Sequence, residues 1–231
     1  MVLLLDPYHL GDPLFATALA RDLKARGEGL VLVHGSGEAG ERALESLGSW
    51  PERDGTVWRV ADAREAAAVE RATRQLNRRL VHELNEAGLP TIGAMGADRG
   101  LLKASEAGVA AGRVGWVATL VAQGGVPVVA ALAANGEDPL QEVDAGQAAA
   151  ALAAALEAPL VALVRGRSAL AEAPTMDLDA AQATGRLGDA GLVTSSVQSG
   201  VPVRAVVPSA LREAHLPAGV WVGGTDLDGE A

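Results

Sequence analysis

Cysteine is missing from all 231 residues, which excludes disulfides, a thiolate nucleophile and any cysteine-based metal site. Aromatic residues are nearly as scarce, with only Tyr8, Phe15 and four tryptophans, so the core must be made of Ala, Val and Leu. No apolar run reaches the ~18 residues of a membrane span. The opening MVLLLDPYH has no basic n-region of a signal peptide. Lysine occurs only as Lys24 and Lys103, and arginine fills the remaining basic positions. Positive charge is in deficit, with 19 Lys and Arg against 29 Asp and Glu and a formal net charge of −10. That argues against non-specific nucleic-acid binding, which depends on cationic contacts to phosphate. Apolar residues are plentiful at 49%, ample for one large α/β domain or two small lobes at this length. The expectation is a cytoplasmic enzyme or enzyme-like domain with neither nucleic acid nor membrane as partner.

The stretch around which the chain is organised is Leu30 to Gly40, LVLVHGSGEAG. Leu30 to Val33 reads as a strand buried on both faces. His34, Gly35, Gly37 and Gly40 then turn the chain into an Ala/Leu/Glu-rich helix, Glu38 to Leu47. A strand that ends in a glycine turn and opens a helix offers backbone N–H groups and the positive end of a helix dipole to an anion. The spacing of Gly35, Gly37 and Gly40 fits G-x-G-x-x-G, a dinucleotide fingerprint. That fingerprint usually sits on the first βα unit, whereas this is the second. Its acid would have to be Asp54, in a loop. A plain βα turn that needs glycine and binds nothing is also compatible with these residues.

Before this stretch, Val2 to Leu5 reads as a strand and Phe15 to Arg26 as a helix, giving the β-α-β-α rhythm of a parallel sheet covered by helices. After it, Gly48 to Gly55 reads as loop and Val57 to Val60 as extended. Ala63 to Ala87 forms a long helix with Val69, Leu76, Leu80 and Leu84 on one stripe, closed by Gly88 and Pro90. Thr91 to Met95 follows as a strand, Gly96 to Gly115 as turns and a hairpin, Trp116 to Gln123 as a helix and Val126 to Ala131 as a buried strand. Asn135 to Pro139 is a turn by composition. Ala145 to Leu156 is helical by alanine content and Leu160 to Val164 a strand. Beyond Arg165 the signals weaken: Leu178 to Ala183 reads as a short helix, Leu192 to Gln198 as helical or extended, Val203 to Val207 as a strand, Ser209 to Glu213 as a helical turn and Val220 to Val222 as a last strand. The chain reads as one domain, residues 1–231, with a soft boundary near 165.

Six segments in order carry a resemblance. VHGSG from Val33 is similar to a V-H-G-G-G loop, with Ser36 in place of the middle glycine. GTVWRVAD from Gly55 is similar to G-x-R-x-T-D, with Arg59 at the arginine. LNRRLV from Leu76 is similar to V-N-K-x-I-V, and IGAMGADRGLLKA from Ile92 to G-L-S-G-x-D-G-x-L. Gly112 to Pro127 is similar to a G-x-V-G-x-V hairpin followed by G-x-x-P, and EVDAGQAAAALAAA from Glu142 to x-N-A-D-x-A-A-x-x-A-A. Together they resemble the amino-acid kinase family, and within it the N-acetylglutamate kinases. The resemblance implies an α/β three-layer αβα sandwich with a mainly parallel central sheet of eight strands. Acid substrate would sit on residues 1–164 and ATP on residues 165–231. It implies transfer of the γ-phosphoryl of ATP, with Mg²⁺, to a side-chain carboxylate, chemistry that consists of positioning and charge neutralisation. It also implies a homodimer through the helix Ala63 to Ala87, which carries more apolar and alanine surface than one sheet face can cover.

Carried over by position, the acid-substrate residues are Gly35, Ser36, Gly37, Arg59 and Asp144, with Arg59 clamping a carboxylate by bidentate hydrogen bonds. The nucleotide side falls on Gly11, Arg165 and Ser195. The departures lie at the catalytic positions. Where the family's first strand ends in K-x-G-G, this chain has Leu4-Leu5-Asp6-Pro7-Tyr8. The aspartate of N-A-D falls on Gly146, the second lysine near Ser195, and the T-D-x-x-G segment on Val164-Arg165-Gly166-Arg167. Lys24 and Lys103 stand elsewhere, so no catalytic residue is assigned. Arg165, Arg167, Arg186 and Arg204 are the cations that could face a phosphate, although arginine and lysine are not interchangeable there. His34 reads as a cap on the turn. His9, His82 and His215 have no ligand spacing, and no metal site is readable. Three functions follow: an N-acetylglutamate kinase-like phosphotransferase, a non-catalytic relative acting as small-molecule sensor or partner subunit, and a dinucleotide-binding protein.

Overall fold

A computed structural model describes residues 1–164 apart from 13, 28, 55–56, 107 and 135–139, together with 175–176, 191–208, 211 and 220–222. In chain order the first half contains β1 (Val2–Leu4), α1 (Phe15–Lys24), β2 (Val31–His34), α2 (Glu38–Glu45), a hairpin of β3 (Arg53–Asp54) and β4 (Val57–Trp58), and α3 (Ala63–Glu86). Then come β5 (Thr91–Met95), a second hairpin of β6 (Leu102–Ser105) and β7 (Gly108–Ala111), α4 (Gly115–Ala122), β8 (Val126–Ala130), and a ribbon of β9 (Leu132–Ala133) and β10 (Gln141–Glu142). The rest is α5 (Ala145–Ala155), β11 (Leu160–Leu163), β12 (Thr175–Met176), α6 (Gly191–Gln198), β13 (Val203–Val206) and β14 (Val220–Val222).

Eight of these strands form one sheet in the order β12-β14-β13-β11-β1-β2-β8-β5. All neighbours are parallel except β13 and β14. Strands on both sides of residue 165 therefore hydrogen-bond into the same sheet.

The two central strands show why the sheet is covered twice. Val2, Leu4, Val31 and Val33 point into one core, shared with α5, Val117 of α4 and Val193 of α6. Leu3, Leu5, Leu30 and Leu32 point into the other, shared with α1 and with Leu76, Leu80 and Leu84 of α3. Alternate residues of a strand face opposite sides, so an unbroken apolar run is stable only between two layers. Each such side chain withdrawn from water contributes about 1.5–3 kcal/mol. The αβα sandwich expected from the sequence is present, with β2 in the sheet interior between β1 and β8.

Several boundaries differ from the expected ones. β2 begins and ends one residue later than expected, so His34 is its last residue and pairs with Ala130. Residues 53–54, expected in a loop, pair with β4 as a two-residue hairpin. The serine-rich 192–198 segment, ambiguous by periodicity, is the helix α6. The turn 135–139, the expected helix 178–183, most of the expected turn 209–213 and the acidic tail lie outside the described residues.

The apolar stripe of α3 is packed within the chain: Ala68, Val69, Leu76, Leu80 and Leu84 are all buried. Arg71, Gln75, Arg78, His82 and Glu86 are exposed. Ala66, Ala67, Ala72 and Val81 remain half-buried on the flanks of that stripe.

Candidate functional site

In open parallel sheets, ligands collect at the carboxyl ends of the strands. Here the turn after β1 and the loop after β2 lie side by side at that end. A Cβ added to Gly37 would sit 3.5 Å from Pro7.

His34 fixes where the loop begins. Its ring is fully buried. Nδ1 lies 2.8 Å from the Gly35 carbonyl oxygen, and Nε2 lies 3.0 Å from Asn77 Nδ2. The same amide nitrogen donates to the Val128 carbonyl at 2.9 Å. An amide N–H must donate, so Nε2 accepts and Nδ1 carries the proton given to Gly35. The ring is thus the neutral Nδ1–H tautomer. Burial pushes its pKa down to about 4, against the raising effect of the Gly35 hydrogen bond. The network ties β2 to α3 and β8. Gly93 of β5 permits it, because a Cβ there would meet Asn77 Oδ1 at 2.5 Å. His34 acts as a structural clamp on the turn, as expected.

Beyond the clamp, the three glycines have separate tasks. A Cβ on Gly35 would touch Glu142 Oε1 at 3.4 Å. Gly37 is the N-cap of α2 at φ +54°, a left-handed conformation that side chains disfavour. Gly40 makes room for Trp58, whose indole Cδ1 would be 2.6 Å from an added Cβ. That indole is buried and donates to the Gly37 carbonyl at 3.2 Å. On its other side the Arg53 guanidinium stacks 4.0 Å from the ring centroid. The G-x-G-x-x-G spacing therefore has an internal explanation in each glycine.

Glu142, which the sequence reading did not single out, is the group that reaches the loop. Its Oε1 accepts the Ser36 N–H at 2.6 Å. Glu142 is 8% exposed and Ser36 1%. Glu142 Oε2 and the Ser36 hydroxyl each lack a well-formed hydrogen bond, although the two residues' side chains are close enough to interact. Burial raises the Glu142 pKa. The Ser36 hydroxyl and N–H, the Trp58 backbone N–H and the Arg53 guanidinium act in the opposite sense. The only sequence signal was position, since Glu142 opens the EVDAGQ segment ahead of α5.

The expected site residues divide. Gly35, Ser36 and Gly37 form the loop. Arg59 stands on the surface after β4, its side chain 62% exposed and paired with Glu52 at 3.7 Å. Its backbone N–H also donates to Glu52, at 2.8 Å. Asp144 is the N-cap of α5 and accepts the Gln147 N–H at 2.8 Å. Gly11 closes a 3-10 turn, and a Cβ there would lie 3.3 Å from Glu38 Oε2. Arg165 lies outside the described residues. Ser195 is in α6, its side chain likewise outside them. The resemblance places a lysine at Leu5 or Asp6; Leu5 is fully buried, and Asp6 is 2% exposed and accepts the Tyr8 N–H at 2.8 Å. The carbonyl of Gly146, where it places an aspartate, accepts the buried Ser196 hydroxyl at 2.9 Å. Lys24 is near Gly88, just before β5 and so at the opposite end of the sheet. Lys103 lies exposed on β6.

A family model described as the amino acid kinase family matches residues 11–175. The chain is 33% identical over 222 residues to an acetylglutamate kinase of Deinococcus radiodurans, across 88% of this chain and 87% of that protein. It is 35% identical over 159 residues to an acetylglutamate kinase of Roseiflexus sp., across 64% of this chain but only 60% of that protein. Among solved structures, an N-acetylglutamate synthase from Neisseria gonorrhoeae, complexed with coenzyme A and N-acetyl-glutamate, superposes with a TM-score of 0.73 at 18% identity. That match covers 98% of this chain and 59% of that one.

Proposed function

Because the chain belongs to the amino acid kinase family, we propose that it is an acetylglutamate kinase-like protein in which phosphoryl transfer is absent or very slow. Its role in this reading is that of a small-molecule sensor or partner subunit. The observation that carries it is the end of β1: buried Leu5 and Asp6, the latter a carboxyl group that accepts the Tyr8 N–H, stand where the family chemistry calls for a lysine. Glu38 lies next to Gly11 and Glu142 next to Gly35. Acids, Glu38 among them in a pair with Arg42, thus stand around the loop beside which a phosphoryl group would be transferred, where developing charge needs neutralising. ATP and Mg²⁺, which the family implies, belong to the active-kinase reading below. Neither of the two lysines stands where the resemblance places the family's lysines, at Leu5 or Asp6 and near Ser195. The fold by itself does not fix the reaction, since an N-acetylglutamate synthase chain contains it over 59% of its length and a carbamate kinase has it too. The ligand class in this reading is an acidic amino-acid derivative, and a homodimer through α3 belongs to the same proposal.

A second reading, an active kinase with an arginine-based phosphate clamp, is favoured by the 33% identity to an acetylglutamate kinase over most of both chains. Coupled ADP release with N-acetylglutamate, ATP and Mg²⁺ separates the two. Background rates are expected. Substrate-dependent turnover on the order of 1 s⁻¹ or more, within the ordinary enzyme range, selects the active kinase. Thermal shifts with each ligand alone complete the test, because a ligand that binds only the native state raises its stability.

A further inference from the structure

The loop after β2 has the parts of a carboxylate seat. The Ser36 N–H points at an oxygen 2.6 Å away. The absence of a side chain on Gly35 lets that oxygen approach. The Trp58 backbone N–H and the Arg53 guanidinium add favourable charge from the β3–β4 hairpin. The α2 N-terminus opens at Gly37. Trp58 seals one side against Gly40. The occupant is not external. It is Glu142, carried in by the β9–β10 ribbon from 106 positions along the chain. Its second oxygen and the Ser36 hydroxyl are buried without a well-formed hydrogen bond. Such groups are costly to leave unpaired, and a covalently tethered carboxyl cannot satisfy all its neighbours at once as a free one can.

We propose that Glu142 is a resident occupant of the anion seat at Ser36, and that an external acid binds there only by displacing it. Glu142 thereby sets the specificity and weakness of acid binding by the wild-type chain. The proposal rests on the acid-ligand reading above, but its test needs neither nucleotide nor turnover. A variant lacking the side chain leaves a vacancy the size of a small monocarboxylate, which free acid can fill.

Glu142→Ala and Glu142→Gln are compared with wild type in formate and acetate titrations followed by thermal unfolding, with chloride at equal ionic strength as control. Formate or acetate is expected to stabilise Glu142→Ala saturably, with an apparent affinity about tenfold or more above that for the other two proteins, the worth of one charge-assisted hydrogen bond. N-acetylglutamate should follow the same order. Equal shifts in all three proteins, or none in a folded Glu142→Ala, would overturn the proposal. Should Glu142→Ala fail to fold, the Ser36 amide proton in wild type and Glu142→Gln decides. It is expected far downfield in wild type and moved upfield by the neutral amide, and an unchanged resonance overturns the assignment. Turnover in the kinase assay would remove the non-catalytic reading while leaving the formate result standing.

Discussion

Two buried titratable residues, 108 positions apart in the chain, bracket the loop and bend stability with pH in opposite directions. His34 has an unfolded pKa near 6.5 and a folded value of about 4. Between these values the unfolded chain binds a proton that the folded chain refuses, so stability falls as pH drops through that window. The fully developed loss is about 3 kcal/mol. Glu142 is raised above its ordinary 4.5. The stability it contributes is present below 4.5 and is lost as pH rises through its folded value. Denaturant unfolding at several pH values is expected to show an acid-side slope that disappears in His34→Gln. In Glu142→Gln the loss on the alkaline side should disappear. Identical pH profiles for His34→Gln and wild type would show that the ring is not held neutral by burial. The histidine's role as a turn cap was legible in the sequence from its place between a strand and a glycine. The glutamate's role was not, because its partner is 106 residues away and no local pattern marks it.

Secondary elements were legible wherever apolar periodicity and punctuation agree. The Val/Leu alternation of β1 and β2, which feeds two separate cores, is visible as an unbroken apolar run. The 24-residue α3 ends at Gly88 in a left-handed conformation. β4 lies within the stretch Val57–Val60 read as extended, but β3 and its pairing were missed because two-residue strands carry no period, yet the hairpin delivers Trp58 and Arg53 to the site. Two predictions belong at this scale. Asp144 caps α5, so Asp144→Ala should cost about 1 kcal/mol while Asp144→Asn costs little. A loss of acid-ligand binding in Asp144→Asn without loss of stability would instead make Asp144 a ligand contact. Gly40→Ala drives a methyl into the Ser36 hydroxyl and the Trp58 indole, and overpacking of this kind costs about 1–3 kcal/mol. In a double-mutant cycle Trp58→Ala should recover part of that cost, since residues in contact are coupled. Strict additivity would mean that the Ser36 hydroxyl, not the indole, rejects the methyl.

At the scale of the whole molecule, the expected dimer has to be argued from what α3 exposes. Its apolar stripe faces α1, α2 and the sheet, with Leu76, Leu80 and Leu84 inside the core. Its outer face presents Arg71, Gln75, Arg78, His82 and Glu86. A homodimer through this face is therefore polar, unlike the hydrophobic interface of an obligate pair. Burial of α3 against its own sheet could not be read from periodicity, which counts apolar positions but does not say how many neighbours cover them. The chain also carries a formal charge of −10, so two copies repel at long range while arginines and acids of the two helices attract at short range. Salt acts on both terms, but paired charges across an exposed interface are worth only about 0–1 kcal/mol each and are screened within about 8–10 Å at physiological ionic strength. Light scattering at micromolar concentration is expected to give a dimer at low salt that dissociates as salt is raised, and Arg78→Glu should dissociate it at low salt. A monomer under all conditions would remove the dimer from the proposal. A dimer indifferent to both salt and Arg78→Glu would place the interface on another face of the sandwich.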